Sequence, residues 1–179
     1  VTARNFLVWG GQMELGSTAT SYIPTDGGTA TRSADSLTNF GSQQIIDSQS
    51  GILFFEGSLL SINGTDRVLG MNGGNDYQMY FYFNTSGETF FAFKNDTSAF
   101  TNQLTNTDIS QNKKYLAKYS SSKIEVFIDG NLVMDSALSP IPYNTLTSFS
   151  FNIALGGTPF YGRVRQVKHL PYNTDISKL

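Results

Sequence analysis

From residue 36 onwards, hydrophobic and polar residues alternate with a period of two in a series of short segments. Successive side chains of a β-strand point to opposite faces, so this alternation predicts strands that each bury one face. Turn-forming residues separate the segments, as is typical of an antiparallel sandwich. We expect an all-β, two-layer antiparallel fold with these strands: 52–60, 67–71, 77–83, 89–94, 115–119, 123–128, 132–134, 149–155 and 161–170.

Two of the connections contain residue types that specify hairpins. Asp129-Gly130 separates two hydrophobic segments, and this pair readily adopts the positive φ angles of a type I′ turn. A second hairpin is predicted at residues 84–87, Asn-Thr-Ser-Gly.

The alternation also assigns side chains to faces. The residues expected to point into the core are Met79, Phe81, Phe83, Phe91, Phe93, Ile124, Val126, Ile128, Phe149, Phe151, Ile153 and Leu155. The residues expected to point outward are Gln78, Tyr80, Tyr82, Asn84, Phe90, Ala92, Lys94, Glu125, Phe127, Ser150, Asn152 and Ala154. In the last strand Val164 and Val167 are three residues apart, so strict alternation would place them on opposite faces. Either a bulge therefore lies near residues 165–166 or one valine is exposed.

Residues 1–35 differ from the rest of the chain. One hydrophobic strand, 6–14, is followed by a run of Gly, Ser and Thr and then by Pro24 and Gly27-Gly28, which favour an extended linker. A single strand cannot bury enough surface to fold alone. We therefore interpret residues 1–35 as the terminal strand of a preceding module plus a linker, and residues 36–179 as the sandwich.

Composition narrows the range of partners. The formal net charge of -2 provides no attraction towards a polyanion, so nucleic acid is not an expected partner. No apolar run approaches the length of a membrane span and the N-terminus lacks the layout of a signal peptide, so no membrane insertion is expected. The chain has no cysteine, and therefore neither disulfides nor thiolate metal sites.

Several segments resemble known phage proteins. Residues 9–16 (WGGQMELG), 19–25 (ATSYIPT) and 31–35 (TRSAD) resemble a recurrent segment of phage tail proteins, in which the last strand of a jelly-roll module leads into a linker. Residues 51–56 (GILFFE), 126–130 (VFIDG) and 162–172 (GRVRQVKHLPY) are similar to the laminin-G-like, concanavalin-A-like domains that follow this linker. Their order after the linker, rather than any one motif, makes the resemblance specific.

The resemblance implies a two-layer antiparallel jelly-roll sandwich in a phage tail fibre or tail spike. Such modules serve as receptor-binding or accessory carbohydrate-binding domains of a trimeric fibre. The implied partners are a bacterial surface glycan and other fibre domains, within a homotrimer. The implied location is the virion, in the phage tail.

An outward aromatic patch is the first candidate site. Sugar recognition needs aromatic ring faces for stacking and short polar groups for hydroxyls. If the assigned faces hold, the outward face of one sheet carries Tyr80, Tyr82, Phe90, Lys94, Phe127 and Asn152. Tyr80 and Tyr82 would form a flat platform about one sugar ring wide. Cross-strand pairing on an exposed or subunit-covered sheet explains the same residues, and both interpretations remain open.

The loop 72–76 is the second candidate, because Asn72, Asn75 and Asp76 suit the coordination of sugar hydroxyls or calcium at the rim of a sandwich. We favour a plain turn, because Asn, Gly and Asp are the commonest turn residues. Residues 95–97 are interpreted in the same way. No other cofactor is expected, and calcium remains an alternative.

No enzymatic activity is expected. Retaining glycosidases of the concanavalin-A-like superfold carry Glu-x-Asp-x-x-Glu or a similar motif on one strand, and no predicted strand here carries it. Glu125 and Asp129 are four residues apart, and the turn explains Asp129. His169 is the only histidine, and no nucleophile is identifiably placed beside it.

Two functions therefore fit the sequence. The first is a carbohydrate-binding module that recognises a host-surface glycan. The second is a structural or trimerisation module of the fibre that binds no ligand. An exposed aromatic patch lined by polar groups would favour the first, and aromatics buried at a threefold interface would favour the second.

Overall fold

The structure is a computed structural model, and it divides the chain into two compact units, Val1–Asp35 and Ser36–Leu179. It describes residues 7, 10–13, 22–30, 41–42, 44–60, 66–74, 76–95, 99–105, 108–152 and 160–179. In the first unit, the backbone N–H of Ile23 donates to Gln12 Oε1 at 2.7 Å. Most of the strand predicted at 6–14 lies outside the described residues. The interpretation of residues 1–35 as a strand plus a linker stays a prediction.

The second unit contains ten β-strands. Their bounds are β1 Gly51–Leu59, β2 Arg67–Asn72, β3 Gln78–Phe83, β4 Thr89–Lys94, β5 Ala99–Thr105, β6 Lys113–Tyr119, β7 Lys123–Ile128, β8 Asn131–Ala137, β9 Ser148–Ser150 and β10 Gly162–Leu170. The only helical element in the described part of the chain is a 3₁₀ turn, Ile176–Lys178. Strand β5 was not predicted, because its sequence, AFTNQLT, has too few apolar residues to show the alternation.

The strands form two antiparallel sheets of five strands. The first sheet has the order β10-β1-β6-β7-β8, and the second has the order β5-β4-β3-β2-β9. Every strand pair is antiparallel. The predicted all-β, two-layer antiparallel architecture is therefore confirmed. Among the described residues, no helix has the length and apolar character needed to cross a bilayer.

Aromatic rings form the centre of the core between the sheets. The Tyr115 ring of β6 lies 5.3 Å from that of Phe55 and 5.5 Å from that of Phe81, between centroids. On β3, Phe81 and Phe83 are fully buried, whereas Tyr80 and Tyr82 are partly exposed. The predicted inward positions of β3, β4 and β7 are all buried, which confirms the assigned faces of these strands.

Both predicted hairpins are present. Asp129 has φ 50° and Gly130 has φ 80°, as a type I′ turn requires. In the second turn, Asn84 Oδ1 accepts hydrogen bonds from the backbone N–H groups of Ser86 and Glu88, at 3.0 and 2.9 Å. A short polar side chain thus closes the turn between β3 and β4.

A β-bulge interrupts the pairing of β1 with β10. Glu56 pairs with Gln166 and Gly57 pairs with Val164, which leaves Arg165 as the extra residue. The sequence left a bulge and an exposed valine as alternatives, and the structure shows both, since Val164 is 38% exposed. Arg165 Nη1 lies 2.9 Å from Glu56 Oε1, and Asn112 Nδ2 donates to the same oxygen at 2.8 Å. The buried Glu56 carboxylate is therefore paired, which offsets its loss of hydration.

His169 lies at the opposite end of β10, in a partly buried position where its ring is hydrogen-bonded. Its Nε2 is 2.8 Å from the hydroxyl oxygen of Tyr119, and that hydroxyl donates to the backbone oxygen of Asp47. A Cβ at Gly51 would overlap the His169 ring, so only glycine fits beside it. Burial lowers the pKa of His169 below its ordinary value of 6.5, although the nearby Asp47 carboxylate opposes this effect. This arrangement indicates a structural histidine.

We expect a truncated chain of residues 36–179 to retain a cooperative thermal transition, because the core lies within Ser36–Leu179. Circular dichroism melts of the truncated and full chains would measure this. Loss of the transition would contradict the prediction, and would mean that residues 1–35 complete the sandwich or an oligomer.

We also expect the folded state to lose stability as pH falls from about 7.5 to about 5.5. The folded state lowers the pKa of His169 and so favours its neutral form. The resulting stabilisation of the folded state is complete above the unfolded pKa of 6.5 and is lost as pH falls below it. Melting temperatures across this range would fall for the parent and stay flatter for His169→Gln. Equal slopes for the two proteins would contradict the assignment to His169.

Candidate functional site

The second sheet has an outer face, which points away from the core, and β3 runs along its middle. The register of β2, β3 and β4 places outward side chains in rows across this face. These rows are Phe90, Tyr82 and Val68; Ala92, Tyr80 and Gly70; and Lys94, Gln78 and Asn72. Ser150 and Ser148 of β9 extend the last two rows. Aromatic, small and polar side chains thus follow one another along the outer face.

Tyr82 is held by two neighbours. Its hydroxyl donates to Asp66 Oδ2 at 2.7 Å, and its ring lies 5.5 Å from that of Phe90. Burial and the hydrogen bond to Asp66 raise the pKa of Tyr82 to about 12, so the hydroxyl stays protonated. Tyr82 is therefore part of the structure of this face as well as a candidate contact residue.

Tyr80 has a different environment, because both of its neighbours in the row are small. Gly70 lies on one side and Ala92 on the other. A Cβ at Gly70 would overlap the Met79 carbonyl oxygen and the Tyr80 Cβ, so the close approach of β2 to β3 requires glycine. Burial raises the pKa of Tyr80, and its hydroxyl has no hydrogen-bond partner within the described part of the chain.

A shallow depression lies beside Tyr80, above Gly70. The space inside it is only ≈ 10 Å³, about enough for one water molecule. Besides apolar Val68 and Met71, the described residues around it are Gly70, Asn72, Gln78, Tyr80, Ser150 and Asn152. One aromatic ring therefore adjoins a set of carboxamide and hydroxyl groups.

Neighbouring groups hold the polar side chains of the depression in place. Asn72 Oδ1 accepts from Ser148 Oγ at 3.1 Å, and Gln78 Nε2 donates to the backbone oxygen of Gly74 at 3.3 Å. Ser150 Oγ accepts from the backbone N–H of Asn152 at 3.1 Å, which leaves its hydroxyl proton for another acceptor. Such preset donors and acceptors suit a hydroxylated ligand.

The structure brings most of the sequence-predicted site residues together. Tyr80, Tyr82, Phe90 and Lys94 lie on the outer face of the second sheet, and Asn152 lines the depression. Lys94 pairs with Gln78 in register but does not itself line the depression. The binding roles of these residues remain predictions.

Phe127 was wrongly placed with this group. It does point outward, but β7 belongs to the first sheet, so Phe127 lies on the opposite side of the sandwich. There it packs against Phe54 and Leu116, and Ile176 and Leu179 of the C-terminal segment pack against the same cluster. A groove of ≈ 960 Å³, including its open mouth, lies between them and has mainly apolar walls. Alternation along β7 could not reveal which sheet it joins.

The loop after β2 serves partly as a structural junction. Asn72 is 8% exposed, and its backbone oxygen accepts from the N–H of Thr147 at 2.9 Å. Asp76 is exposed, and Asn75 lies outside the described residues, as do residues 96–97 of the similar segment 95–97. Among the residues described, no cluster of three or more His, Asp or Glu side chains is suited to hold a metal ion.

Sequence reasoning missed the roles of Gly70, Gln78 and Ser150. Gln78 and Ser150 were expected to point outward, but neither was assigned to the site. Gly70 interrupts the apolar segment Val68–Met71 of β2, and an isolated glycine in a strand is a signal of close backbone approach. That signal could have indicated a close approach of two strands at Gly70, although not that Tyr80 lies opposite it.

No protein-family model matches the sequence, and no curated protein matches it. Similar solved structures include Ruminococcus gnavus IT-sialidase CBM40 bound to α2,3 sialyllactose, with a TM-score of 0.53 and 16% identity over 68% of this chain and 76% of that chain. The same module bound to α2,6 sialyllactose has a TM-score of 0.56 and 12% identity, over 81% of this chain and 95% of that chain.

Another similar structure is domain 4 of AbnA, a GH43 extracellular arabinanase from Geobacillus stearothermophilus, in complex with arabinotriose. Its TM-score is 0.58 at 8% identity, over 74% of this chain and 65% of that chain. At such identities the likeness shows the fold alone. The predicted two-layer jelly-roll sandwich is thereby confirmed.

Proposed function

We propose that this chain is a carbohydrate-binding module whose site is centred on Tyr80, on the outer face of the second sheet. The observation that carries the proposal is the position of Tyr80, between Gly70 and Ala92 and next to a set of ordered polar groups. Tyr80 is partly exposed, so part of its ring is open to contact with a sugar. The polar groups supply donors and acceptors at the edge of that ring.

Stacking and hydrogen bonding would contribute different parts of the binding. The apolar C–H face of a sugar gains contact and loses water when it covers an aromatic ring. Its hydroxyl groups need partners when they leave water, and the partly exposed carboxamides of Gln78 and Asn152 provide both donors and acceptors. An aromatic ring without these groups would bind sugars without orienting them.

The structural neighbours support this proposal through the fold they share with the chain. Two of them are described as complexes with a sialyllactose and one as a complex with arabinotriose. A jelly-roll sandwich is thus a suitable scaffold for sugar recognition. Function depends on the site rather than on the fold, so the residues around Tyr80 remain the main support.

We further propose that the module is not catalytic. Hydrolysis of a glycosidic bond usually needs two facing carboxyl groups, and the described residues that line the depression include neither Asp nor Glu. The carboxylate of Asp66 is engaged by Tyr82. Glu56 lies on β1 of the first sheet and is paired with Arg165.

The biological setting that we propose is a phage tail fibre or tail spike that attaches to a bacterial surface glycan. The support for this setting is the sequence resemblance of residues 9–35 and 51–172. A shallow site implies weak binding by each subunit. In a trimeric fibre, several weak sites would act together and raise the overall affinity without further contacts.

We expect Tyr80→Ala to weaken glycan binding at least about tenfold, equivalent to about 1.4 kcal/mol, because the stacking surface is lost. The melting temperature should stay within about 4 °C of the parent, since Tyr80 is only partly buried and its neighbours are small. A glycan array followed by titration with the best-bound oligosaccharide would measure the affinity. This single substitution is preferable to replacing both tyrosines, because loss of Tyr82 also removes its contacts with Asp66 and Phe90.

The matched control is Tyr143→Ala. Tyr143 is 69% exposed and lies in the connection between β8 and β9, outside the depression. Its replacement should leave affinity unchanged. Equal affinity for the parent and Tyr80→Ala would place the site elsewhere. If Tyr80→Ala instead dissociated an oligomer and no glycan bound to the parent, the structural function would replace the proposed one.

A further inference from the structure

We propose that the groove on the outer face of the first sheet binds a small amphipathic anion, that is, an apolar chain or ring that ends in an anionic group. This site goes beyond the proposed function, because it lies on the other side of the sandwich and shares no described residue with the surroundings of Tyr80. Three observations carry the inference: the apolar floor of the groove, its dimensions and the state of its charged groups.

The floor of the groove is a row of apolar side chains that the strand register brings together. Phe54 of β1 pairs with Leu116 of β6, and Leu116 pairs with Phe127 of β7. Side chains of paired residues point to the same face of a sheet, so the three form one surface. Ile176 and Leu179 pack against this surface and form a wall of the groove. A ligand in the groove would therefore contact apolar groups on two sides.

The groove has the dimensions of a small-molecule site. The space inside it is ≈ 470 Å³, and such sites typically measure about 300–1,000 Å³. The described residues that line it belong to the stretches 44–60, 108–152 and 160–179, each of which the structure describes without a gap. Beyond the groove, Leu132 pairs with Phe127 and is 52% exposed, so the apolar row continues. A molecule with an elongated apolar body fits along this row.

The apolar floor is one row wide, which excludes a large protein partner or a second copy of the chain as its occupant. On β6, β7 and β8, the next row on one side contains Lys118, Glu125 and Asp135. On the other side, Glu56 pairs with Lys114. A stable protein interface buries about 800 Å² on each partner, with few charged residues at its centre. A narrow apolar strip between charged rows suits a small molecule instead.

The charged groups in the walls of the groove favour an anion. Both carboxylate oxygens of Asp129 are engaged, since Oδ1 accepts from the backbone N–H of Lys114 at 2.9 Å and Oδ2 accepts from Lys113 Nζ at 3.0 Å. Lys114 Nζ donates to the backbone oxygen of Leu179 at 2.6 Å. An ammonium group has three donors, so Lys114 retains donors for an anionic group of the ligand. A cationic ligand would meet the same ammonium group and be repelled.

The acidic side chains beside the floor are already paired with cations. Arg165 lies 2.9 Å from Glu56, and Lys123 lies 2.8 Å from Glu125 and 3.0 Å from Asp135. In contrast, Lys114 has no acidic side chain at ion-pair distance among the described residues. The cation that lines the groove is thus the one whose charge is not offset by a neighbouring carboxylate. This charge complementarity selects the anionic head group.

The experiment compares ligands that have the same apolar body and different head groups. The full chain would be titrated with decanoate, 1-decanol and decylammonium, each below the concentration at which it aggregates, while NMR follows the backbone amides of Phe127 and Gly130. We expect decanoate to bind at least about threefold more tightly than decanol, and decylammonium to bind most weakly. Binding of decanoate should weaken between about 50 mM and about 500 mM NaCl, whereas binding of decanol should not.

Lys114→Gln tests the contact with the head group, because it keeps the backbone N–H that Asp129 accepts. It should weaken decanoate binding at least about threefold and leave decanol binding unchanged. Lys168→Gln is the matched control, since Lys168 is an exposed cation that pairs with Phe54 from β10 and does not line the groove. This control should change neither affinity.

Phe127→Ala tests the apolar floor. Loss of the ring should weaken the binding of decanoate and decanol alike, at least about fivefold, because both ligands lose the same apolar contact. Phe127 is only partly buried, so the variant should remain folded, and thermal melts of all three variants would verify this.

Several results would overturn the inference: no shift of the groove amides with any of the three ligands, decanol or decylammonium that binds as tightly as decanoate, or equal effects of Lys114→Gln and Lys168→Gln. A dimer in sedimentation that Phe127→Ala dissociates would make the groove a self-association face instead. Binding to phosphatidylglycerol vesicles without binding to free decanoate would assign it to a membrane surface. Tyr80→Ala should bind decanoate like the parent, so the sugar site and the groove can fail independently.

Discussion

The two sheets meet through aromatic rings, and Tyr115 of the first sheet contacts Phe81 and Phe83 of the second, with centroids 5.5 and 5.4 Å apart. These rings are fully buried, so their loss of water contact contributes strongly to the stability of the sandwich. Alternation along β3 then determines the direction in which the neighbouring side chains point. When Phe81 and Phe83 face the core, Tyr80 and Tyr82 must face outward.

The same constraint explains why the two outward tyrosines differ. Each lies in a row whose other members are set by the pairing of β3 with β2 and β4. Tyr82 is beside Phe90 and bound to Asp66, whereas Tyr80 is beside Gly70 and Ala92. The depression thus results from small residues next to an aromatic one. A site of this kind needs no loop rearrangement, because its walls are side chains of paired strands and of the residues next to them.

The outer face of the first sheet has a different character. The C-terminal residues Ile176 and Leu179 pack with Phe54, Leu116 and Phe127, and the Lys114 ammonium donates to the backbone oxygen of Leu179. The groove there is larger than the depression beside Tyr80, but its walls are mainly apolar. Size alone would therefore favour the first sheet, whereas the sugar site that we propose lies on the second. The ordered polar groups around Tyr80 are the reason for preferring the second sheet.

The sequence by itself determined most of the strands, the Asp129-Gly130 turn and the assigned faces of β3, β4 and β7, and it restricted the irregularity of β10 to a bulge or an exposed valine. These features depend on residues close together in the chain, so alternation and turn chemistry are sufficient to predict them. Only the tertiary structure decided that Phe127 lies on the other sheet from Tyr80, that β5 extends the second sheet, and that Gly70 lies opposite Tyr80. Strand order and register arise from pairing between distant segments, and the period of a single strand contains no information about its partner.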